Sequence, residues 1–564
     1  TTQGNIRLND GAAPAVGSHN GTAVSANGRG SVLLDAADDV EINANVLSGT
    51  GHITVVVGDD VDQNADILTI GGSILVSAAN GTADAISGID MQSGTKTSTG
   101  STTGGNIILL STGESDVKLG LLEGGTGLVS IEAERNILDD NDQTTAGTLN
   151  ITAAILRIVA DSNGNSTGII GGSATGNGTP SANVNAIDIS VNTIAARSAT
   201  GIYLQEFNAI EVNATGAIAV SQVTSNGTTS FLSRGSLEDL TTTSNGPIKL
   251  QSVTGTVTVN AGTVNTAGIT AHGSGSVLLQ TLANNGDVIV NASIVSGIGH
   301  ITLNAGDDID LKAGLNAGLG GTVYLLAANG TVGDVTGPEV DGININGSIT
   351  TVNGDVLVES LLDIRQTALI GSTNGDIGLI AAQDVLQNDG GDITTTTGDG
   401  LVEAGRNWTM TTGTVIAVGG GEFCAKTVSG NLALGRINAA NVALTANVNI
   451  SDANGATLNV DGVTLSLRAG GLIGNHDNAN GTPSMNANAI DTRVSTLAAS
   501  AGTGLYIEEA NGLTIGTVAA VSVNVNLPQQ VNFNGTLTAV DESRGTLALE
   551  DLRTTNNGPI KVVA

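Results

Sequence analysis

Residues 51 to 62 read GHITVVVGDDVD, and residues 299 to 310 read GHITLNAGDDID. Each copy opens on a glycine, runs through a short β-branched strand, turns at a second glycine and closes on an acidic pair. Strands of this kind recur after a glycine along the chain: GSVLL from Gly30, GHITV from Gly51, GSILV from Gly72, GNIIL from Gly105 and GLVSI from Gly127. The beat returns as GSVLL from Gly275, GHITL from Gly299, GTVYLL from Gly321, GDVLVES from Gly354, GDIGLIA from Gly375 and GLVEAG from Gly400. A period of about 20 to 25 residues, built of short strands and Gly/Asn turns, predicts an all-β solenoid whose coils stack on one another.

Turn chemistry agrees. Asn-Gly recurs, at Asn163, Asn226, Asn285, Asn374 and Asn454 among others, and Asp-Gly at Asp341, Asp389, Asp399 and Asp461. These pairs take positive φ cheaply, so the chain can turn a corner every few residues. Asn-Gly by itself suggests hairpins; the coil-length beat argues for short strands meeting at corners instead of a hairpin meander. Helical periodicity with caps at both ends is nearly absent.

Composition supports a narrow, elongated interior. The 564 residues include 80 glycines and only eight aromatics, while Val, Ile, Leu and Ala keep the chain apolar. A net charge of -33 repels nucleic acid and anionic membrane surfaces, which excludes both partner classes. Cys424 is the one cysteine and forms no internal disulfide; it is expected to be a small buried hydrophobe. No apolar run reaches the eighteen or so residues that span a bilayer. The chain opens TTQGNIRLND, so any secretion signal is expected outside this window.

A longer repeat overlies the coils. TTQGNIRL at 1 to 8 resembles TTSNGPIKL at 242 to 250 and TTNNGPIKV at 554 to 562. The expected modules are therefore 1–241, 242–553 and the start of a third at 554–564. NGTPSANVNAIDISVNTIAARSATGIYLQE at 177 to 206 matches NGTPSMNANAIDTRVSTLAASAGTGLYIEE at 480 to 509. Offsets are smaller early in the module than late, which places extra coils at about 350–425 of the second module. A solenoid accepts whole coils because each touches only its neighbours.

The runs GSVLLDAADDVEINANVLSGTGHITVVVGDDV and GDIGLIAAQDVLQNDGGDITTTTGDGLVEAG resemble the coils of filamentous haemagglutinin-type exoproteins, large bacterial surface adhesins. The resemblance covers most of the chain at the level of coil pattern. It implies a right-handed parallel β-helix and a secreted or surface-exposed fibrous shaft, with no secretion domain or binding tip recognisable.

Against that frame the acidic pairs have two readings. Val61 and Ile309 are expected to point inward, leaving Asp60 with Asp62, and Asp308 with Asp310, on the solvent face of one strand. Such carboxylates can share Ca²⁺ with turn carbonyls. LDDND at 138 to 142, with Asp140 and Asp142, is a further candidate. None matches an EF-hand loop or the nonapeptide calcium repeat, and solvated acidic turns that discourage edge pairing are the competing reading. No cofactor is required by either.

Catalysis is not expected. Glu508 and Glu509 are adjacent and so face opposite ways on a strand, whereas a retaining glycosidase aims two carboxyls at one sugar. Tyr203, Tyr506 and Trp408 are expected as isolated outward aromatics. His52 and His300 read as coil-corner hydrogen bonds, not zinc ligands. The glycine-rich run VGGG at 418 to 421 lacks GxxxxGK[ST]. Sequons at Asn20, Asn80, Asn329 and Asn534 leave glycosylation open. The expectation is an extracellular structural protein that self-associates as a filament, sheath or adhesin stalk. The alternatives are an adhesin whose lateral face binds a carbohydrate or protein receptor and, remotely, a β-helix carbohydrate-active enzyme.

Overall fold

Strands start where a glycine precedes β-branched residues, and each strand stacks on its counterpart one coil away. A computed structural model describes residues 4–9, 21–79, 88–102, 104–141, 148–175, 179–328, 339–477 and 485–564. Among them there is no α-helix, and therefore no helix long and apolar enough to cross a membrane. The chain is an all-β parallel solenoid. An early coil contributes three strands, and each hydrogen-bonds the strand one coil on: Val32–Ala36 to Ile53–Val57, Val40–Ile42 to Val61–Gln63, and Asn45–Ser48 to Ile67–Leu68.

Two compact units result, Thr1–Ala283 with Val531–Thr536, and Asn284–Gln530 with Leu537–Ala564. Their limits differ from the module limits read at 241/242 and 553/554. A sequence period marks where a pattern recurs, and compactness marks where contacts are dense; in a solenoid every coil is in contact with the next, so the two need not coincide.

In the first unit Val32, Ile53, Ile74, Ile107, Val129 and Leu156 stand in register on successive strands, all buried. In the second, Ile301, Val323, Val356, Ile377, Gly400, Phe423, Val442 and Leu465 continue the same pattern. Each rung adds about 4.8 Å, and each buried aliphatic side chain contributes about 1.5 to 3 kcal/mol. Gly400 interrupts its ladder for space: a Cβ there would sit 2.7 Å from the Phe423 ring.

Trp408, expected on the outside, is wholly interior. Its ring lies 5.9 Å from that of Phe423, and its Nε1 donates to Gln387 Oε1 at 2.7 Å. Gln387 Nε2 in turn donates to Gln366 Oε1 at 2.8 Å. A polar ladder inside the coil gives the indole the acceptor that a buried tryptophan needs. Val61 and Ile309 point inward, as their alternation requires.

Each unit also has an antiparallel hairpin that does not join the coils. In the first, Ile218–Val223 pairs with Thr229–Arg234 around a turn at Asn226-Gly227. Ile218 and Val220 pack on the outer side chains of Leu75 and Ile108. Val223 N donates to Thr54 Oγ1 at 2.9 Å, and Asn106 Nδ2 to Ala219 O at 2.8 Å. In the second, Ser522–Val525 pairs with Glu542–Gly545. There Val521, Val523 and Val525 cover the outward side chains of Tyr324, Leu357, Leu401, Cys424 and Ala443. These hairpins act as straps. They explain why several long strands are apolar on both faces, since both faces are buried.

Candidate functional site

The corner before each long strand is the first place where the repeat does work. In the first unit Ser31 Oγ accepts His52 N at 3.0 Å, His52 Nδ1 accepts Ser73 N at 3.0 Å, and Asn106 Oδ1 accepts Leu128 N at 2.9 Å. In the second, His300 Nδ1 accepts Thr322 N at 3.3 Å. Asp355, Asp376 and Asp399 then each use Oδ1 to accept the N–H of the next coil's residue, at 2.8, 2.7 and 2.7 Å. Ser, His, Asn and Asp are interchangeable here because each offers one acceptor to an N–H that the turn leaves without a strand partner. Burial lowers the pKa of both His52 and His300, which keeps the rings neutral and Nδ1 an acceptor.

The acidic pairs serve a second corner. Asp60 Oδ1 accepts Gly88 N, and Asp308 Oδ1 accepts Gly342 N, both at 2.6 Å. Gly88 and Gly342 have φ of +104° and +121°, so the acid holds a backbone turn that only glycine makes without strain. Asp60 and Asp308 are accordingly buried at the corner, not on an open face with Asp62 and Asp310. Asp62 instead accepts Asn64 Nδ2 at 2.8 Å, and Asp310 pairs with Lys312 at 2.5 Å. Along the outer face, Glu41, Asp62, Asp90 and Lys118 stand in register, with Lys118 2.7 Å from Asp90. Asp140 lies near this row; burial raises its pKa, Asp90 raises it further and Lys118 opposes. Asp142 falls outside the described residues. Among the described residues, the carboxylates that approach within 4.8 Å of one another as a group of three are Asp38, Asp39 and Asp59.

Glu206 and Glu509, the equivalents in the two modules, turn inward. Glu206 accepts Val191 N at 3.0 Å and Asn208 N at 2.8 Å; Glu509 accepts Val494 N at 3.2 Å and Thr492 Oγ1 at 2.8 Å. Both are buried, with their carboxylates holding the backbone. Burial pushes Glu206 up to about 8.

The straps are fastened by charge. Arg234 on the returning strand of the first strap pairs with Glu132 at 3.2 Å. Arg544 on the second pairs with Glu403, and with Glu542 at 2.5 Å. Both arginines lie in the tripeptide Ser-Arg-Gly, at 233–235 and 543–545. That repeat was available in the sequence as a signal for the strap. Its reading needed the two glutamates opposite, which lie over a hundred residues away.

Beside the second strap lies an open groove of about 410 Å³, with Leu326, Leu361, Ile380 and Val428 as its apolar lining and Glu359 and Glu403 as its acids. Glu359 and Glu403 stand two strands apart, with Ile380 between them in register, so their backbones are about 9.6 Å apart. Tyr324 Oη donates to Glu359 Oε2 at 2.7 Å. Burial raises the pKa of Glu359, and Tyr324 and Arg544 act against that rise. Cys424 is buried under the strap, and burial pushes its thiol up to about 11, leaving it an unreactive hydrophobe. Comparison of the chain with protein-family models, curated proteins and solved structures returns no match.

Proposed function

We propose that the chain is the shaft of an extracellular bacterial assembly, a filament, sheath or adhesin stalk, whose task is mechanical. One observation carries the reading: side chains at successive corners accept the next coil's N–H, so polar chemistry is spent on holding coil to coil. The resemblance of the coil pattern to filamentous haemagglutinin-type repeats supports a right-handed surface shaft. Electron microscopy of the purified native protein, with and without a calcium chelator, tests the proposal. Long uniform fibres that loosen on chelation support a calcium-stiffened polymer, and fibres indifferent to chelator support a polymer held without the ion. Isolated rods of single-chain length refute polymerisation and leave the stalk.

A second reading is favoured by the groove beside the second strap. Its apolar lining and paired acids suit an adhesin whose lateral face binds a glycan or a basic, partly apolar segment of a receptor. Binding to a glycan or peptide array that is lost in Glu359→Gln, with the fold intact by circular dichroism, supports it. Array binding unchanged by that substitution places any receptor elsewhere.

A further inference from the structure

The first unit contains a filled socket. Residues 532 to 536, Asn-Phe-Asn-Gly-Thr, form a hairpin tip in which Asn532 N donates to Thr536 O at 3.0 Å and Asn534 Oδ1 accepts Thr536 N at 3.0 Å. Phe533 is wholly buried, packed with Ala186, Tyr203 and Leu278. Three backbone groups of the tip are gripped: Lys249 Nζ donates to Asn532 O at 2.6 Å, Asn183 Nδ2 to Phe533 O at 3.2 Å, and Asn534 N to Pro180 O at 3.1 Å. Lys249 also lies 5.6 Å from the centre of the Tyr203 ring. Asn534 is buried in this tip, so its sequon has no room for a glycan.

The second unit repeats four residues of the socket, without a counterpart of Leu278 among the 564 residues. Tyr506 stands for Tyr203, Ala489 for Ala186, Asn486 for Asn183 and Lys561 for Lys249. The internal geometry is the same. Asn183 Nδ2 reaches Gly172 O at 2.8 Å and its Oδ1 accepts Asn185 N at 3.1 Å; Asn486 Nδ2 reaches Asn475 O at 2.8 Å and its Oδ1 accepts Asn488 N at 3.2 Å. Gly171 and Gly474 turn at φ +65° and +63°. Lys561 lies 5.7 Å from the Tyr506 ring, as Lys249 does from Tyr203. The difference in cover lies in the polar groups: Lys249 and Asn183 are buried, whereas Lys561 is exposed and Asn486 half-buried; Tyr506 and Ala489 are buried, as Tyr203 and Ala186 are. Ser173, which Gly535 approaches closely, is replaced by His476, whose ring lies 5.9 Å from that of Tyr506.

We infer that the Tyr506–Lys561–Asn486 corner is a docking socket for a β-hairpin tip of the Asn-Phe-Asn-Gly type, presented by another module of this same repeat. Three features select that occupant. Asn486 Nδ2 and Lys561 Nζ are the counterparts of the two donors, Asn183 Nδ2 and Lys249 Nζ, that hold backbone carbonyls of the first tip. Tyr506 holds the place of Tyr203, whose ring packs with Phe533, and aromatic pairs add about 0.5 to 1.5 kcal/mol beyond area burial. The strap tip of the first unit makes the same turn, with Thr228 N donating to Asn226 Oδ1 at 3.0 Å, yet it carries Ser225 where Phe533 stands. That tip lacks the anchor, so the aromatic tip is the one with the chemistry to dock.

The test is titration of the chain of residues 1–564 with a backbone-cyclised peptide spanning residues 526–541. The expected result is saturable binding at one site per chain. Binding should weaken at least tenfold when the peptide's Phe533 is alanine, and equally in chains bearing Lys561→Ala or Asn486→Ala. His476→Ser should tighten it by removing the ring that shares Tyr506. Phe533→Ala in the chain should raise the stoichiometry towards two, because its own tip no longer holds the first socket. Binding only to the Phe533→Ala chain, at one site, overturns the inference, as does binding indifferent to Lys561 and Asn486. A preorganised tip that binds neither chain overturns it too, since the tip's chemistry then does not carry docking. The inference rests on the paired sockets and not on the shaft reading: isolated rods in the microscope would still titrate the peptide, and fibres would survive its failure.

Discussion

Asp376 shows how one side chain holds two coils. Its Oδ1 accepts the Asp399 N–H, and Asp376 N donates to Asp355 Oδ1. Asp376→Ala leaves a partly buried N–H without its acceptor and should cost about 1 kcal/mol in chemical denaturation; Asp376→Asn keeps an acceptor and should cost less than half of that. Carboxyls that hold backbone N–H groups also titrate. Burial raises Asp376 to about 6 and Glu206 to about 8. For both, the folded pKa lies above the unfolded value, so the folded state binds more protons. The stability they contribute is complete below about pH 4 and declines as pH rises through about 6 for Asp376 and about 8 for Glu206. Thermal unfolding at pH 5 and pH 8.5 checks this. The gap in Tm between the wild type and Glu206→Gln should shrink towards the higher pH, and a pH-independent gap would remove Glu206 as its source.

At the scale of the element, the strap is the part with the least support from its own strands. Two strands alone are marginal in water, so its order comes from the coil face beneath it. Gly378 is diagnostic: a Cβ there would meet Leu357 Cδ1 at 3.0 Å and Val525 Cγ2 at 3.2 Å. Gly378→Val suits a strand in isolation, yet it should push the strap off the face. Hydrogen exchange at residues 522–525 should accelerate at least tenfold, while exchange in Ile377–Ala381 stays slow. Arg544→Ala should loosen the same strap more mildly, because a partly exposed ion pair contributes only about 0.2 to 1 kcal/mol. The strap was hidden from sequence reading because its Asn-Gly turns look like those at the coil corners. What distinguishes them is the tandem of Ser-Arg-Gly with a distant outward glutamate, a pairing that register alone creates.

At the scale of the whole chain, stacking is modular and charge is long-ranged. Residues 377–399 make one coil, since Ile377 is in register with Gly400. Deleting them should leave a folded, strand-rich chain by circular dichroism, because Val356 then meets Gly400 as its next rung. The strap, built for one rung more, should lose protection in the same variant. Deleting only half of those residues should abolish the folded signal from the second unit. A net charge of -33 repels itself at low salt; raising ionic strength from about 0.01 to about 0.15 M shortens the screening length from about 30 to about 8 Å and should raise Tm in calorimetry.

The glycine-led strands, their period and the inward Val61 and Ile309 were legible because β alternation and turn chemistry are local: a residue's neighbours in sequence decide them. Sequence also placed His52 and His300 at corners and set Tyr203 beside Tyr506 in equivalent segments. Tertiary structure alone decided which carboxylates meet a backbone N–H, that Trp408 faces inward to a glutamine ladder, and that the outer faces lie under straps. It alone matched Phe533 to the Tyr203 socket, more than three hundred residues away. Those outcomes depend on which residues share a rung or a face, and rung sharing is set by coil lengths accumulated along the chain, a quantity that no short stretch of sequence contains.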